Sequence, residues 1–518
     1  MLPNRYQAGR ATVWILPTGR FKEGLLSVSS VMPVTPENAC LAPLLLSVLR
    51  RGTRKYPTLA DVNRRLDYLW GTGLSLRSHY RGNLLVLGLS AELLDGRFLP
   101  DGGIGLTDGV LELMHEILFC PLLDDDGLLS ARYVESEKEL QCNAIRAVKN
   151  NPRAYAAERA RALLYEGEPC GIPLYGTEEQ TMAVTREELT GYWRRWTASL
   201  RPDCFYVGPM EAGLLLGKLT RAFGTELGIS DGSWTMDAGL AGQMPAGRGA
   251  ACATATRDSA PRERNAGTAT DPAADACSGR TAAGETGGTL AENLFAENAV
   301  GTPSAGNVSA GKEGPGCPDG VPATVRRVRE TLEVSQSQLV IGLRCGVRLG
   351  DPDFYACAVM NELLGGSPVS RLFTYVREKL SLCYSCSSGY AALGGTVTVS
   401  CGLSAANRGL AEAEIFRQLE SIHRGDFTPG ELDAARKSLI NAYRQLEDSP
   451  ADLENYYYGR LLAGCRVSLR ECREGFAAVT AGEVARAAGR LQTAVIYFLE
   501  GTRDAGGGEE DEDEEADV

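Results

Sequence analysis

A chain of 518 residues, 44% hydrophobic and 23% charged, is globular material long enough for several domains. Its formal net charge of −13 argues against nucleic acid as a main partner, and setting aside the eight acids within Glu509–Asp517 still leaves −5. The longest apolar run, Leu41–Leu49, is too short to cross a bilayer, the opening MLPNRYQAGR has no secretory h-region, and the 15 scattered cysteines read as reduced cytosolic thiols, so a cytoplasmic location is expected.

In chain order, Ala11–Leu16 and Leu25–Val34 read as paired strands around Pro17-Thr18-Gly19. Glu37–Arg50 reads as a helix rich in Leu and Ala, stopped by Gly52. Thr58–Trp70 is a second helix, with Thr58 as N-cap and Leu59, Val62, Leu66 and Leu69 on its apolar face. Strands are predicted at Leu74–Arg77 and Asn83–Ala91, then helices at Leu106–Phe119, Gly127–Asn150, Arg153–Leu164 and Thr185–Trp196. The last opens on capping-box spacing, Thr185 to Glu188. A strand at Cys204–Val207 and a helix at Glu211–Phe223 close this part.

From 228 to 324 the periodicity collapses into Gly, Ala, Thr, Ser and Pro, which predicts a long disordered linker. Its cysteines, Cys252, Cys277 and Cys317, show no metal-ligand grouping. Pattern returns at Val325. Leu332–Val347 is strand-like and Asp353–Leu364 helical. Further on come helices at Arg408–Arg424, Pro429–Leu446, Asp452–Leu462 and Thr480–Leu491, and a strand at Ala494–Leu499. Residues 506–518 read as a solubilising acidic tail.

The stretch 360–403 carries the most information. It breaks at Gly365-Gly366, resumes as a helix with Leu372, Phe373, Val376 and Leu380 at helical spacing, and continues as strands Ser381–Tyr390 and Thr396–Leu403. Arg377 and Tyr384, late in the helix and early in the strand, are placed to reach one rim. Cys383-x-x-Cys386 is the only close cysteine pair in a patterned region. On a strand, i and i+3 point to opposite faces, which argues against a shared metal or redox role. Residues 59–91 and 373–405 repeat one pattern of helix, strand, Gly-containing turn and strand, and both end Gly-Leu-Ser-Ala. Two similar α+β halves fit this better than one α/β sheet, because short turns rather than crossover helices join the strands.

Asn361, Leu364, Gly365 and Gly366, then Ser370, Arg371 and Leu372, then Arg377, Glu378, Leu382 and Tyr384 form a long ungapped run. It resembles the C-terminal half of an M16 (insulinase or pitrilysin-type) peptidase unit. The resemblance implies two homologous halves, 1–227 and 325–505, each a mainly antiparallel sheet packed by helices, in a clam-shell arrangement. It also implies that Arg377 and Tyr384 help hold a peptide substrate.

The catalytic motif is missing. Catalytic M16 halves carry H-x-x-E-H on the helix before a Gly-Thr, two histidines for zinc and a glutamate to activate water. With Gly52-Thr53 as anchor those positions are Pro43, Leu46 and Ser47. The family's remaining ligand is a glutamate seven residues after another; with Glu137 as the earlier one, Ala144 occupies the ligand position. No other zinc motif replaces it: His115-Glu116 is followed by Phe119 where a second histidine is needed, and His79 and His423 stand apart. The chain therefore resembles the inactive member of paired bacterial M16-like proteins associated with elongation factor P modification. The expectation is a non-catalytic subunit that is inactive alone, binds no cofactor itself, and forms a heterodimer with a zinc-containing paralogue bearing H-x-x-E-H. The alternative is a peptide-binding scaffold or chaperone-like protein with no role in proteolysis.

Overall fold

The computed structural model describes residues 2–100, 102–236 and 325–502. The acidic tail and most of the expected linker, with its three cysteines, lie outside these residues. Among the described residues no helix is long and apolar enough to cross a membrane.

The first half is built on strands β1 (Asn4–Ala8), β2 (Ala11–Pro17), β3 (Glu23–Pro33), β4 (Gly73–Arg81), β5 (Leu84–Leu94), β6 (Asp203–Gly208) and β7 (Thr235–Met236), in sheet order β4-β5-β3-β6-β2-β1-β7. The second half has β8 (Arg326–Leu332), β9 (Ser337–Arg344), β10 (Ser385–Ala391), β11 (Thr396–Leu403) and β12 (Gln492–Gly501), in order β10-β11-β9-β12-β8. Setting β2–β6 beside β8–β12 gives the same order twice. In both halves the pair at one end, β2 with β6 and β8 with β12, is parallel, and the remaining pairs of this set are antiparallel. The repeat in the sequence is thus a repeat of topology. Gly88, at the head of the first Gly-Leu-Ser-Ala, is required by close approach: a Cβ there would collide with the Val28 carbonyl of β3.

Helices α1 (Pro36–Arg51), α2 (Leu59–Tyr68), α3 (Leu106–Phe119), α4 (Ala131–Ala147), α5 (Pro152–Leu164), α6 (Glu178–Ala183), α7 (Arg186–Ser199) and α8 (Ala212–Leu227) belong to the first half. Helices α9 (Phe354–Asn361), α10 (Arg408–Arg424), α11 (Pro429–Gln445), α12 (Pro450–Leu462), α13 (Leu469–Ala478) and α14 (Ala481–Gly489) belong to the second. Thr58, Thr428, Ser468 and Thr480 each open a helix with a reciprocal capping box. The expected helix at Thr480–Leu491 ends at Gly489, and α13 before it was not anticipated. Thr235–Met236, inside the expected linker, extends the first sheet by pairing with β1.

The halves exchange helices. Helix α5 of the first lies on β9 and β12 of the second, and α12 of the second lies on β6 and β3 of the first. The two helices are local counterparts. Each begins with a proline behind a side-chain N-cap, Asn151 or Ser449, which fits the missing N–H of proline to a position that has no helical acceptor. Under α5, Ala156, Ala160, Leu164 and Tyr165 pack with Val340, Val495, Tyr497 and Leu499. On the other side, Leu16, Leu25, Val86, Phe205 and Val207 join the core of the second half, which includes Tyr457 and Tyr458 of α12.

Candidate functional site

The run at 361–384 folds as two helical segments and a hydrogen-bonded turn. Helix α9 widens into a π-type turn at Glu362–Gly366. The two glycines let it lie against β10: a Cβ on Gly365 would sit 2.6 Å from the Ser388 nitrogen. Ser388 Oγ donates to the Asn361 carbonyl at 3.2 Å. Arg371, 6% exposed, donates to Gln418 (2.9 Å), Glu431 (2.9 Å) and Ser421 (3.0 Å), and so ties this segment to α10 and α11. Its guanidinium is buried, with a bond from each of its three nitrogens, which is a structural role.

A second π-type helix, Leu372–Lys379, follows. Leu372 and Val376 are buried, whereas Arg377, Glu378 and Lys379 face solvent. The chain then turns: Ser381 N–H donates to the Arg377 carbonyl (3.1 Å), Leu382 N–H to the Val376 carbonyl (3.0 Å), and Ser381 takes the left-handed conformation with φ 49°. Tyr384 N–H donates to the Gly402 carbonyl at 2.8 Å, just ahead of β10. The expected strand thus starts four residues late, at Ser385 rather than Ser381. Arg377 and Tyr384 stand on the two sides of this turn. Tyr384 is 61% exposed, and the Arg377 guanidinium lies 4.7 Å from the Phe373 ring centroid. Neither side chain has a hydrogen-bond or ion-pair partner among the described residues.

The late start of β10 overturns the reading of the cysteines. Cys383 belongs to the turn, so alternation along a strand does not govern it. Cys386 and Cys401 face one another in register across β10 and β11. The Sγ atoms of Cys383, Cys386 and Cys401 all lie within 4.8 Å of one another. Hydrogen bonds from the Cys386 and Cys401 thiols, with the Arg377 charge nearby, hold the Cys383 thiol well below the usual range.

The region where an M16 zinc ion would sit is different in kind. Pro43 and Leu46 are buried in the apolar body of α1, Ser47 is half-buried and Ala144 is exposed. Glu137 is held by Arg51. One turn on, the Gln141 amide donates to the carbonyls of Cys40 (3.2 Å) and Tyr175 (3.2 Å) and to Thr181 Oγ1 (3.1 Å). Burial pushes the Cys40 thiol up. With no imidazole or carboxylate at the four aligned positions, these residues do not fit a zinc ion. Of the histidines, His115 Nε2 contacts Glu226 Oε1 at 3.1 Å and stacks on Phe119, while burial pushes the proton affinity of His79 well down.

Two cavities went unforeseen, because residues distant in sequence form them. A cleft of about 330 Å³ lies between α5 and the β9–β11–β10 face; Arg153, Leu164, Tyr165, Gly342, Ser387 and Thr398 are among its lining. Arg153 donates to Ser387 Oγ across it at 3.3 Å. A smaller cavity of about 70 Å³ is lined by Arg81, Asn361, Glu362, Asn455 and Arg460, among others. Burial pushes the Glu362 carboxyl up to about 7, against the opposing hydrogen bond of Ser438.

Comparison with known proteins gives the following. Residues 291–439 match the family model described as the peptidase M16 inactive domain. The probable inactive metalloprotease YmfF of Bacillus subtilis (strain 168) is 24% identical over 497 residues, 96% of this chain and 97% of that protein. The uncharacterized zinc protease YmxG of the same organism is 29% identical over 142 residues, 27% of this chain and 34% of that protein. Among solved structures, the peptidase M16 inactive domain from Pseudomonas fluorescens shares the fold, with a TM-score of 0.65 at 15% identity over 97% of this chain and 99% of that one.

Proposed function

We propose that this chain, part of which matches the peptidase M16 inactive domain and which is similar to a probable inactive metalloprotease and to a zinc protease, is a non-catalytic subunit that pairs with a zinc-bearing M16 chain and supplies Arg377 and Tyr384 to peptide handling. One contrast carries this reading. Two arginines of the same run have opposite fates: Arg371 is buried and bonded through each of its three nitrogens, while Arg377 is presented to solvent, as is Tyr384 across the turn. Exposed on a well-bonded turn, both side chains are available to another molecule. Arg377 is suited to a peptide carbonyl or terminal carboxylate. Tyr384 can donate a hydrogen bond to the same peptide, or to an oxyanion developing on the partner's side.

The test is reconstitution. The chain is mixed with the H-x-x-E-H-bearing M16 protein encoded in the same genome, and peptide hydrolysis by the purified complex is followed. Arg377→Ala with Tyr384→Phe should leave assembly intact and lower turnover by roughly tenfold or more. Unchanged turnover, or no complex, removes the proposal. The cleft beneath α5 favours one second reading, a peptide-binding scaffold. That reading predicts peptide binding by the chain alone, sensitive to Arg153 and indifferent to Arg377.

A further inference from the structure

We propose that Cys383, Cys386 and Cys401 form a binding site for a thiophilic d10 cation, Zn²⁺ or Cu⁺. The inference is independent of the pairing proposed above.

Geometry comes first. A metal–thiolate bond of about 2.3 Å places sulfurs sharing one ion roughly 4 Å apart. The three Sγ atoms already lie within 4.8 Å of one another, so small side-chain rotations close them on an ion without moving the backbone. Two of the three sit on facing strands in register, which fixes their separation. The third is set by the turn, whose backbone is pinned on both sides of Cys383 by the Leu382–Val376 and Tyr384–Gly402 hydrogen bonds. These bonds hold the three Cα positions, so the thiols are presented together rather than brought together by an ion.

Access and charge come next. Cys386 and Cys401 are buried, and Cys383, although partly exposed as a residue at the turn, turns its thiol into the same buried cluster. Three thiolates around Zn²⁺ carry one net negative charge, and around Cu⁺ two. The adjacent Arg377 guanidinium, whose charge acts on Cys383, offsets one of them. Thiolate donors select these soft ions over magnesium or calcium. No fourth His, Cys, Asp or Glu atom joins the group among the described residues. The set is thus complete for three-coordinate Cu⁺, and it leaves the fourth position of Zn²⁺ to solvent or to an incoming ligand.

The only other such grouping among the described residues, His115, Glu116 and Cys120, is a natural control. Its histidine is engaged with Glu226 and stacked on Phe119, and its three members lie within or next to a single helix, α3.

The experiment uses the full chain, reduced, stripped with chelator and kept anaerobic. Co²⁺ serves as the optical probe for the Zn²⁺ arm, and Cu⁺ is delivered from a competing chromophoric chelator. The expected result is one equivalent bound per chain, with sulfur-to-metal charge-transfer absorption, and an X-ray absorption shell of about three sulfurs near 2.3 Å. Cys383→Ser should weaken binding by at least about tenfold, whereas Cys120→Ser should not change it. Cys383 is partly exposed, so its serine variant is expected to fold, and circular dichroism checks this. The coordination number in the X-ray absorption shell separates the two cases, three sulfurs alone for Cu⁺ and three sulfurs with a lighter fourth ligand for Zn²⁺. Equal binding by wild type and Cys383→Ser, a shell without sulfur, or no binding of either ion would overturn the site.

Discussion

Tyr458 Oη donates a 3.2 Å hydrogen bond to Asp203 Oδ2, linking helix α12 of the second half to strand β6 of the first. Burial pushes the Asp203 carboxyl up to about 6, and the bonds from Tyr458 and Trp14 pull it back only in part. A carboxyl raised in the folded state stabilises most below its unfolded value. Its contribution then declines as pH rises toward the folded value, because the folded chain holds the proton longer. Glu362, raised to about 7, acts in the same sense.

Glu362→Gln should therefore gain stability relative to wild type as pH rises from 5 to 8. The gain is about 2 kcal/mol, from a shift of this size for a largely buried group. Urea unfolding at pH 5, 6.5 and 8 measures it. A difference that stays flat with pH would show that Glu362 does not titrate in this window.

Glu454 holds the joint by charge. Its carboxylate accepts from Arg77 and Ser27, both in the first half, and its side chain is 3% exposed. Glu454→Ala strands the Arg77 guanidinium in a buried site and should cost about 3–5 kcal/mol. Adding Arg77→Met should restore part of the loss. A cost under about 1 kcal/mol for the single variant would mean that solvent reaches Arg77 easily.

The two arginines of the 361–384 run should respond differently to lysine. Arg371→Lys gives up a planar fork that serves three acceptors and should cost about 1–3 kcal/mol. Arg377→Lys should leave stability within about 0.5 kcal/mol. Thermal melts of the two variants side by side settle it, and equal effects would contradict the division of roles.

Gly365→Ala forces a methyl group against β10 and should cost about 1–3 kcal/mol. Gly389→Ala, in the same strand, meets open space and serves as the control. A tolerated Gly365→Ala would show that the wide turn can slide away from Ser388.

Much of the fold was legible because the halves repeat. Helix, strand, glycine turn and strand recur with the same ending, and the two sheets recur in the same order. The polar strand β1, NRYQA, has no strand signal of its own because it alternates weakly and gains its place by pairing with β2 and β7. Helix α13 escaped although Ser468 and Glu471 carry capping-box spacing; that signal was there to be used. The thiol cluster was misjudged for a local reason. Alternation is a property of residues inside a ladder, and the left-handed Ser381 keeps Cys383 out of it. Arg377 and Tyr384 could be placed from sequence because a helix-to-strand turn is short-range. The cleft under α5 could not, because its walls come from opposite halves.

The exchange of α5 and α12 has a consequence for how the protein is made. A ribosome releases α5 before it has made any of the apolar surface that α5 covers, Val340, Val495, Tyr497 and Leu499. Until then Ala156, Ala160 and Leu164 have nothing to rest on, and β3 and β6 lack the cover of α12. The first half to be synthesised must wait for the second, so the nascent chain carries an uncovered apolar face until α12 and β12 are made.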